Sequence, residues 1–190
     1  MKRLAALASS ILLALALATP GIVQAQSVFI GGGASVPTGD FSDFGDGDGA
    51  NAGWMGFGGV LFPIGEAGLS AGVEGFFGSN SHDTDGDKTD LYGGMALLGY
   101  SFGAEGAAVS PLVFGGLGFL THSYKSESFP SAEGSESGLA LGFGAGLGFP
   151  LGGVGGMLAA SYNMGLGDVD ATTFIGISAA IQIAMGGGSM

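Results

Sequence analysis

The alternation of residues from Gly138 to Phe149 constrains the fold of this chain more than any other feature. Leucine, phenylalanine and one alanine occupy one parity, and glycine or alanine occupies every position of the other. Successive side chains of a β-strand point to opposite faces, so the segment predicts a strand with one apolar face and one almost bare face. A soluble sheet would cover its second face with polar groups. The pattern favours a small membrane barrel, with the apolar face in lipid and the bare face in a narrow lumen.

The charge balance is strongly acidic beyond the first 25 residues. All 16 acidic residues follow Ala25, whereas Lys88 and Lys125 are the only lysines there and arginine is absent from that part. Nucleic acid is excluded as a partner, because neutralising phosphate requires lysine and arginine. The chain has no cysteine. A closed ladder of backbone hydrogen bonds in lipid is therefore expected to hold the fold without disulfides.

Residues 1–25 are predicted to be a secretory signal. A basic start precedes an unbroken run of apolar and small residues, Leu4–Ala18, and Val23–Ala25 supplies a small-x-small cleavage site. The run is shorter than the roughly 20 residues that a membrane-spanning helix needs, which disfavours an uncleaved anchor. The predicted organisation is a signal peptide over 1–25, a β-barrel domain over 26–185 and a short tail over 186–190.

Eight strand-like runs follow the signal, and each is long enough to cross a bilayer, which takes roughly 9–11 tilted residues. They are Ser27–Val36, Ala52–Phe62, Gly68–Gly78, Leu91–Phe102, Val109–Tyr124, Gly138–Phe149, Gly156–Leu166 and Thr172–Met185. Pro37, Pro63 and Pro150 are predicted to end the first, second and sixth runs. The fold class predicted is all-β: an eight-stranded antiparallel up-and-down transmembrane β-barrel, preceded by a signal peptide, with both termini in the periplasm.

The connections alternate between long acidic loops and short glycine-rich turns, which is the pattern of outer-membrane barrels with long loops outside. The acidic residues of the long connections are Asp40, Asp43, Asp46, Asp48, Asp83, Asp85, Asp87, Asp90, Glu127, Glu133, Glu136, Asp168 and Asp170. Because a charge inside the apolar band costs several kcal/mol, their collection on one side supports the assignment of the outer face.

Aromatic residues lie near both predicted ends of the strands and suggest two interfacial girdles. The predicted outer girdle contains Trp54, Phe77, Tyr92 and Tyr124, and the predicted periplasmic girdle contains Phe62, Phe102 and Phe149. Ordinary strand-end core aromatics are the alternative.

Two segments resemble a known family. Gly31–Phe41 resembles the first strand and loop, and Pro111–Gly118 the fifth strand, of the small outer-membrane β-barrel proteins, a group that includes the eight-stranded OmpX-, OmpW- and opacity-type barrels. The resemblance extends over Ser27–Met185. It implies a protein of the outer membrane of a diderm bacterium, surrounded by outer-membrane lipid, inserted by the barrel assembly machinery and expected to be a monomer. The family usually ends on an aromatic residue, whereas this barrel domain ends at Met185.

Two other folds compete with the barrel. Gly142 and Gly146, like Gly144 and Gly148, have the spacing of packed membrane helices. Glycine is a poor helix former, and the period of two does not match a helix. A soluble secreted β-sandwich or barrel would need polar outward faces, which the sixth and eighth runs lack.

The densest group of oxygen ligands surrounds Gly86. Asp83, Asp85, Asp87 and Asp90 could supply the hard oxygen ligands that Ca²⁺ requires. The spacing does not match that of a helix–loop–helix calcium site. A solvated acidic loop is the favoured interpretation, with Ca²⁺ in the extracellular loops as the alternative and no other cofactor predicted.

Glu74 is the one charge predicted to face the lumen, where Ser161 and Asn163 are its expected neighbours. We expect a hydrogen-bonded structural residue in preference to a proton or substrate site. His122 and Ser123 form an adjacent pair that could include a nucleophile and a base, but neighbours in a strand point to opposite faces. The protein is therefore predicted not to be an enzyme.

The favoured function is a structural or surface-interaction role through the acidic extracellular loops. The first alternative is passive, porin-like or OmpW-like transport of small or apolar solutes through the lumen. The second is modification of outer-membrane lipid, because folds of this kind can carry unrelated functions.

Overall fold

The chain forms a closed barrel of eight antiparallel strands, as the sequence predicts. The computed structural model describes residues 26–43, 49–65, 68–103, 107–127 and 130–185. The strands are β1 (Ser27–Thr38), β2 (Gly53–Ile64), β3 (Leu69–Ser81), β4 (Lys88–Ser101), β5 (Ser110–Lys125), β6 (Gly134–Leu151), β7 (Val154–Leu166) and β8 (Thr173–Ala184). Each strand pairs with its neighbours in sequence, and β1 closes the barrel against β8. The predicted signal (1–25), the tail (186–190), Asp46 and Asp48 lie outside the described residues.

The strand register gives a tilted barrel with a narrow interior. A row of directly paired residues starts at Ser27 of β1, passes through Leu61 and the following strands, and reaches Phe174 of β8. Phe174 pairs with Pro37, so one circuit of the barrel climbs from position 27 to position 37 of β1. Eight strands with a shear of this size enclose only enough space for side chains or one small ligand.

The apolar parity of β6 and β8 lies on the outside of the barrel, as predicted. Leu139 of β6 and Ile177 of β8 are 60% and 58% exposed. The opposite parity of β6 and β8, which is mostly glycine, alanine and serine, faces inward. In water this outer surface would be an exposed apolar patch far larger than soluble proteins tolerate. Hydrocarbon is the solvent that makes such a face favourable.

The helical alternative is wrong. Gly142, Gly144, Gly146 and Gly148 all lie in β6 and pair with residues of β5 and β7. Among the described residues, no helix is long and apolar enough to cross a membrane.

The three prolines predicted to end strands do not end them, which corrects the sequence prediction. Pro37 lies within β1, Pro63 within β2 and Pro150 within β6. Because the strands are tilted, each proline lies where its strand is paired on one side only: Pro37 with β8, Pro63 with β3 and Pro150 with β7. At such a position a missing N–H disturbs the ladder less than it would where a strand is paired on both sides.

The central hairpins extend further outward than the sequence predicts. β3 ends at Ser81, β4 begins at Lys88 and β6 begins at Gly134. Asp90 and Glu136 were predicted to lie in loops, but they belong to paired strands. The runs of serine, threonine and charged residues at these ends obscured the strand pattern, because their side chains face water or the polar outer end and not lipid.

Four phenylalanine rings inside the barrel each lie over a glycine on the next strand. The pairs are Phe29 with Gly59, Phe57 with Gly31, Phe76 with Gly93 and Phe114 with Gly144, and all four are direct partners in the register. A Cβ on Gly144 would come within 2.5 Å of Phe114 Cζ. Glycine at these inward positions leaves room for an aromatic ring within a narrow barrel.

Candidate functional site

An apolar cluster closes the outer end of the barrel; we call it the outer plug. It consists of Phe41, Ala50, Leu91, Met95, Leu120, Ala140, Val169 and Phe174. Phe41 and Val169 come from two outer connections, and they are 2% and 0% exposed. The barrel wall supplies the remaining members except Ala50. These buried side chains occupy the lumen at its outer end, as side chains do in a protein interior.

The two loop residues of the outer plug are positioned by the same local structure. Gly39–Phe41 and Gly167–Val169 are single 3-10 turns, and each has the sequence Gly-Asp-apolar. Gly39 and Gly167 have φ of 60° and 71°, a conformation that glycine adopts without a steric penalty. Each turn places its aspartate outward and its apolar residue inward. The repeated triplet is the sequence signal that could have revealed the plug.

A hydrogen-bonded layer surrounds the outer plug on the side of β1 to β3. Asn80 is fully buried and donates to the backbone oxygens of Asn51, at 2.8 Å, and Ser35, at 3.3 Å. Ser35 donates to Asn80 Oδ1, and Asn51 Nδ2 donates to Asp83 Oδ1 at 2.9 Å. These contacts connect the first outer loop to the β3–β4 turn.

The β3–β4 turn is fixed to β5 by a second polar group. The Tyr124 hydroxyl donates to Asp87 Oδ2 at 2.6 Å, and the Tyr124 ring packs edge-on against His82, with 5.3 Å between ring centroids. His82 Nε2 lies 2.8 Å from Thr89 Oγ1. The hydrogen bond from Tyr124 holds the pKa of the Asp87 carboxyl below its usual range.

The outer aromatic girdle is smaller than the sequence suggests. Trp54, Phe77 and Tyr92 lie on the outward face, and the rings of Trp54 and Phe77 are in contact. Tyr124 belongs to the opposite face, where it holds the β3–β4 turn, so its assignment to the girdle is corrected. The sequence position of Tyr124 correctly indicates its level along the barrel axis, but not the face of the barrel wall to which its side chain belongs.

The four aspartates considered for calcium are engaged separately. Asp83 accepts from Asn51, Asp87 accepts from Tyr124, and Asp85 is exposed. Asp90 forms an ion pair with Lys125 at 2.6 Å and accepts from Ser79 at 2.8 Å. Among the described residues, no three His, Cys, Asp or Glu side chains gather into a group that could hold a metal ion. The calcium hypothesis gains no geometric support from this arrangement.

His122 has partners that sequence adjacency did not suggest. Its Nδ1 lies 2.7 Å from Thr172 Oγ1, and its Nε2 lies 3.5 Å from Glu136 Oε2. The order hydroxyl–imidazole–carboxylate is that of an activated nucleophile. Thr172 is only 1% exposed, so a substrate does not reach its hydroxyl. The chain of contacts fixes the β7–β8 connection to β5 and β6.

Below the outer plug, the lumen contains a cavity of about 590 Å³. Met95 and Phe174, both members of the plug, form its outer boundary, and Ser27, Gly65, Gly68, Ser101 and Gln182 line it at the periplasmic rim. Most of its lining is apolar. The volume lies within the range of roughly 300–1,000 Å³ that is usual for small-molecule sites.

Glu74, Ser161 and Asn163 all line this cavity, but they lie on opposite walls. Asn163 donates to Ser161 at 2.9 Å, and among the described residues no side chain or backbone group hydrogen-bonds to the Glu74 carboxylate. The expectation of a hydrogen-bonded Glu74 is therefore wrong. β3 and β7 are separated by four strand positions around a barrel of eight, a gap that serine and asparagine side chains are too short to cross.

Comparison with solved structures finds the same architecture. Neisserial surface protein A matches with a TM-score of 0.64 at 16% sequence identity, covering 83% of this chain and 96% of that chain. The N-terminal β-barrel domain of OprF from Pseudomonas aeruginosa matches with a TM-score of 0.50 at 17% identity, covering 84% and 100%. The outer membrane enzyme PagL is more distant, with a TM-score of 0.47 at 16% identity, covering 83% and 98%. At these identities the likeness shows the fold alone.

No curated protein sequence matches the chain. The model of the outer membrane protein beta-barrel domain family matches residues 5–180, which is nearly the whole chain. Together with the closed eight-stranded barrel and its lipid-facing apolar surface, this match identifies the chain as a member of the outer membrane protein β-barrel family, located in the outer membrane of a Gram-negative bacterium.

Proposed function

We propose that the protein is a non-conducting structural barrel whose acidic outer rim meets cationic partners at the cell surface. The observation that carries the proposal is the outer plug. Phe41 and Val169 are removed from solvent, and they pack against Leu91, Leu120 and Phe174 of the wall. A lumen that is filled at one end does not serve as a pore, so passive transport is the less favoured function.

The outer rim carries the chemistry for the surface role. Its exposed carboxylates are Asp40, Asp43, Asp83, Asp85, Glu127, Glu133, Glu136, Asp168 and Asp170. The exposed lysines of the same end are Lys88 and Lys125, and Lys125 is engaged by Asp90. A rim with this excess of negative charge attracts cationic surfaces and speeds their encounter at low salt.

The rim is also held in place before any partner arrives. Hydrogen bonds from Asn80, Tyr124 and His122 fix the outer connections to the wall. Pre-organised loops lose less conformational entropy on binding than mobile ones, so more of the interaction energy appears as affinity. The fixed loops therefore favour a binding role for the outer rim over a purely structural one.

Lipid modification has less support. The hydroxyl of Thr172 is buried beneath the β7–β8 connection, and His122 is committed to it. The proposal therefore assigns these residues to positioning of the loop. The same proposal includes three further points. The barrel is surrounded by outer-membrane lipid, it is inserted by the barrel assembly machinery, and it is a monomer.

Two measurements test the proposal. Refolded protein in planar bilayers is expected to give no single-channel current, and steady conductance would contradict the closed lumen. Binding to a polylysine-coated surface is expected to fall strongly in a variant with Asp83→Asn, Asp85→Asn, Glu127→Gln and Glu133→Gln. Glu74→Gln, the same chemical change inside the lumen, is the matched control and should bind as the native protein does. Equal binding by all three proteins would contradict the surface role.

A further inference from the structure

We propose that the lumen is a binding site for an apolar organic cation, which enters from the periplasmic side and places its ammonium group against Glu74. The geometry that points to this is a carboxylate with no hydrogen-bond or ion-pair partner among the described residues, in an apolar cavity that also contains aromatic side chains and reaches the periplasmic rim. The site is independent of the surface role proposed above, since it lies on the other side of the outer plug.

The cavity exists because the two halves of the barrel wall carry side chains of different size. β1 to β5 supply large inward residues, including Phe29, Phe57, Phe76, Leu97 and Phe114, whereas β6 to β8 supply Gly142, Gly148, Ala159, Ser161, Ser178 and Ala180. The second half also contributes larger residues, including Met157 and Phe174, but its many small inward side chains leave part of the lumen unfilled.

Apolar groups make up most of the surface that a ligand would contact. Three methionines, Met55, Met95 and Met157, line the cavity along with the phenylalanines. Methionine adapts its shape to a partner, and aromatic rings contribute large contact areas. A cavity of about 590 Å³ with this lining suits a compact apolar molecule.

The surroundings of Glu74 select the charge of the ligand. Glu74 pairs directly with Gly59 on one side and Met95 on the other. The Phe29 ring lies over Gly59, and Phe76 follows two residues along β3 on the same inward face. A carboxylate with aromatic side chains nearby can recognise an ammonium group, through an ion pair and cation–π contacts. A neutral or anionic ligand would bring no positive charge to this carboxyl group.

No basic side chain of the barrel domain satisfies Glu74 instead. Lys88 and Lys125 lie at the outer ends of β4 and β5, and His82 and His122 are engaged at the same end. The residues after Met185 contain no basic side chain. No side chain of residues 26–190 therefore supplies the positive charge, which a bound cation would bring.

The arrangement of the two ends determines the route of entry. The outer plug separates Glu74 from the cell exterior, whereas Ser27, Ser101 and Gln182 place the cavity at the periplasmic rim. A ligand in the periplasm reaches Glu74 without displacing the plug.

The test uses the mature barrel in phosphatidylcholine nanodiscs, with methionine methyl groups as NMR reporters. The probes are phenethylammonium and 2-phenylethanol, which have similar shapes and differ in charge. Met55, Met95 and Met157 report on the cavity, and Met164, which pairs with Leu141 on the outward face, reports on partitioning into lipid. The ammonium probe is expected to shift the three cavity methyls in a saturable manner and to leave Met164 unchanged.

Glu74→Gln is expected to weaken binding of the ammonium probe by about tenfold or more while leaving binding of the alcohol unchanged, because only the cation loses its partner. Glu136→Gln, the matched change at the outer rim, should bind as the native protein does. Ser178→Leu, which adds a larger side chain to the cavity lining, should weaken both probes. Equal affinity of Glu74→Gln and native protein for the cation would overturn the proposal, as would shifts of Met164 that parallel those of the cavity methyls. A heat-modifiability gel establishes that each variant is folded.

Discussion

The two ends of this barrel solve the same packing problem in opposite ways. At the outer end, two short turns insert Phe41 and Val169 between wall residues, and hydrogen bonds fix the connections around them. In the periplasmic half, rings cover glycines on the side of β1 to β5, and the small residues of β6 to β8 leave a cavity. The difference teaches that the outer end is closed where loop residues add to the side chains of the strands, and that the lumen stays partly unfilled where they do not.

The largest effect is expected where the outer end depends on a single ring. Phe41→Ala should destabilise the folded barrel by about 3–5 kcal/mol, because it removes a buried ring and leaves a cavity in the outer plug. Phe143→Ala removes the same ring from the lipid-facing side of β6, where it is 55% exposed, and should cost clearly less. Urea unfolding in vesicles measures both. Equal losses would show that the plug is not a packed core.

The next effect tests the ring-over-glycine packing of the wall. Gly144→Ala should cost about 1–3 kcal/mol, because the new methyl lies 2.5 Å from both Phe114 Cζ and the carbonyl oxygen of Ala160. Gly153→Ala in the β6–β7 turn is the control, since no atom lies within 4 Å of its added Cβ. The same unfolding assay applies. A Gly144 variant as stable as the Gly153 variant would mean that the ring does not rest on the glycine.

A smaller effect is expected from acid at the outer end. Because hydrogen bonding lowers the pKa of Asp87 in the folded state, its contribution is present above the pKa of an unfolded aspartate, about 3.9, and is lost as the pH falls through the lower folded value. Tyr124→Phe removes the main donor and should reduce the difference in stability between neutral pH and pH values below this range. Tyr92→Phe, on the outward face, should preserve it. If the stability of Tyr124→Phe depended on pH as that of the native protein does, this role of Asp87 would be contradicted.

The smallest effect is expected from calcium. Since Asp83, Asp87 and Asp90 each have separate partners, addition of millimolar Ca²⁺ or of a chelator should leave the thermal unfolding midpoint unchanged. Native protein and the Asp85→Asn variant should behave alike. A calcium-dependent rise in the native midpoint that Asp85→Asn abolishes would restore the calcium site.

The barrel could be predicted from the sequence because lipid imposes a simple rule on it. The outward positions of β6, β7 and β8 that meet lipid must be apolar, so alternation reveals both the strand and its face, as at Leu139, Leu158 and Ile177. The acidic loops indicate the outer side for the same reason, because charged residues are excluded from the part of the barrel that meets lipid. These signals are local along the chain and need no knowledge of which strand lies opposite.

The closed outer end and the cavity could not be predicted in the same way. Phe41 and Val169 belong to connections, where no periodicity shows which side chain points inward. The isolation of Glu74 depends on β3 and β7 being on opposite walls, and the partners of His122 come from two other parts of the chain. The prolines were misinterpreted because strand tilt leaves strand tips paired on one side, a property of the closed barrel and not of a single strand.

The most direct test of the central claim, that the lumen is closed outward and open to the periplasm, uses the absence of native cysteine. Three single-cysteine variants are compared: Ser178→Cys in the cavity, Asp85→Cys at the outer rim and Gly153→Cys in a periplasmic turn. Each variant is inserted into vesicles in one orientation and treated from outside with a membrane-impermeant thiol reagent. The account predicts that Ser178→Cys reacts to the same extent as Gly153→Cys. Reaction of Ser178→Cys to the extent of Asp85→Cys would contradict it.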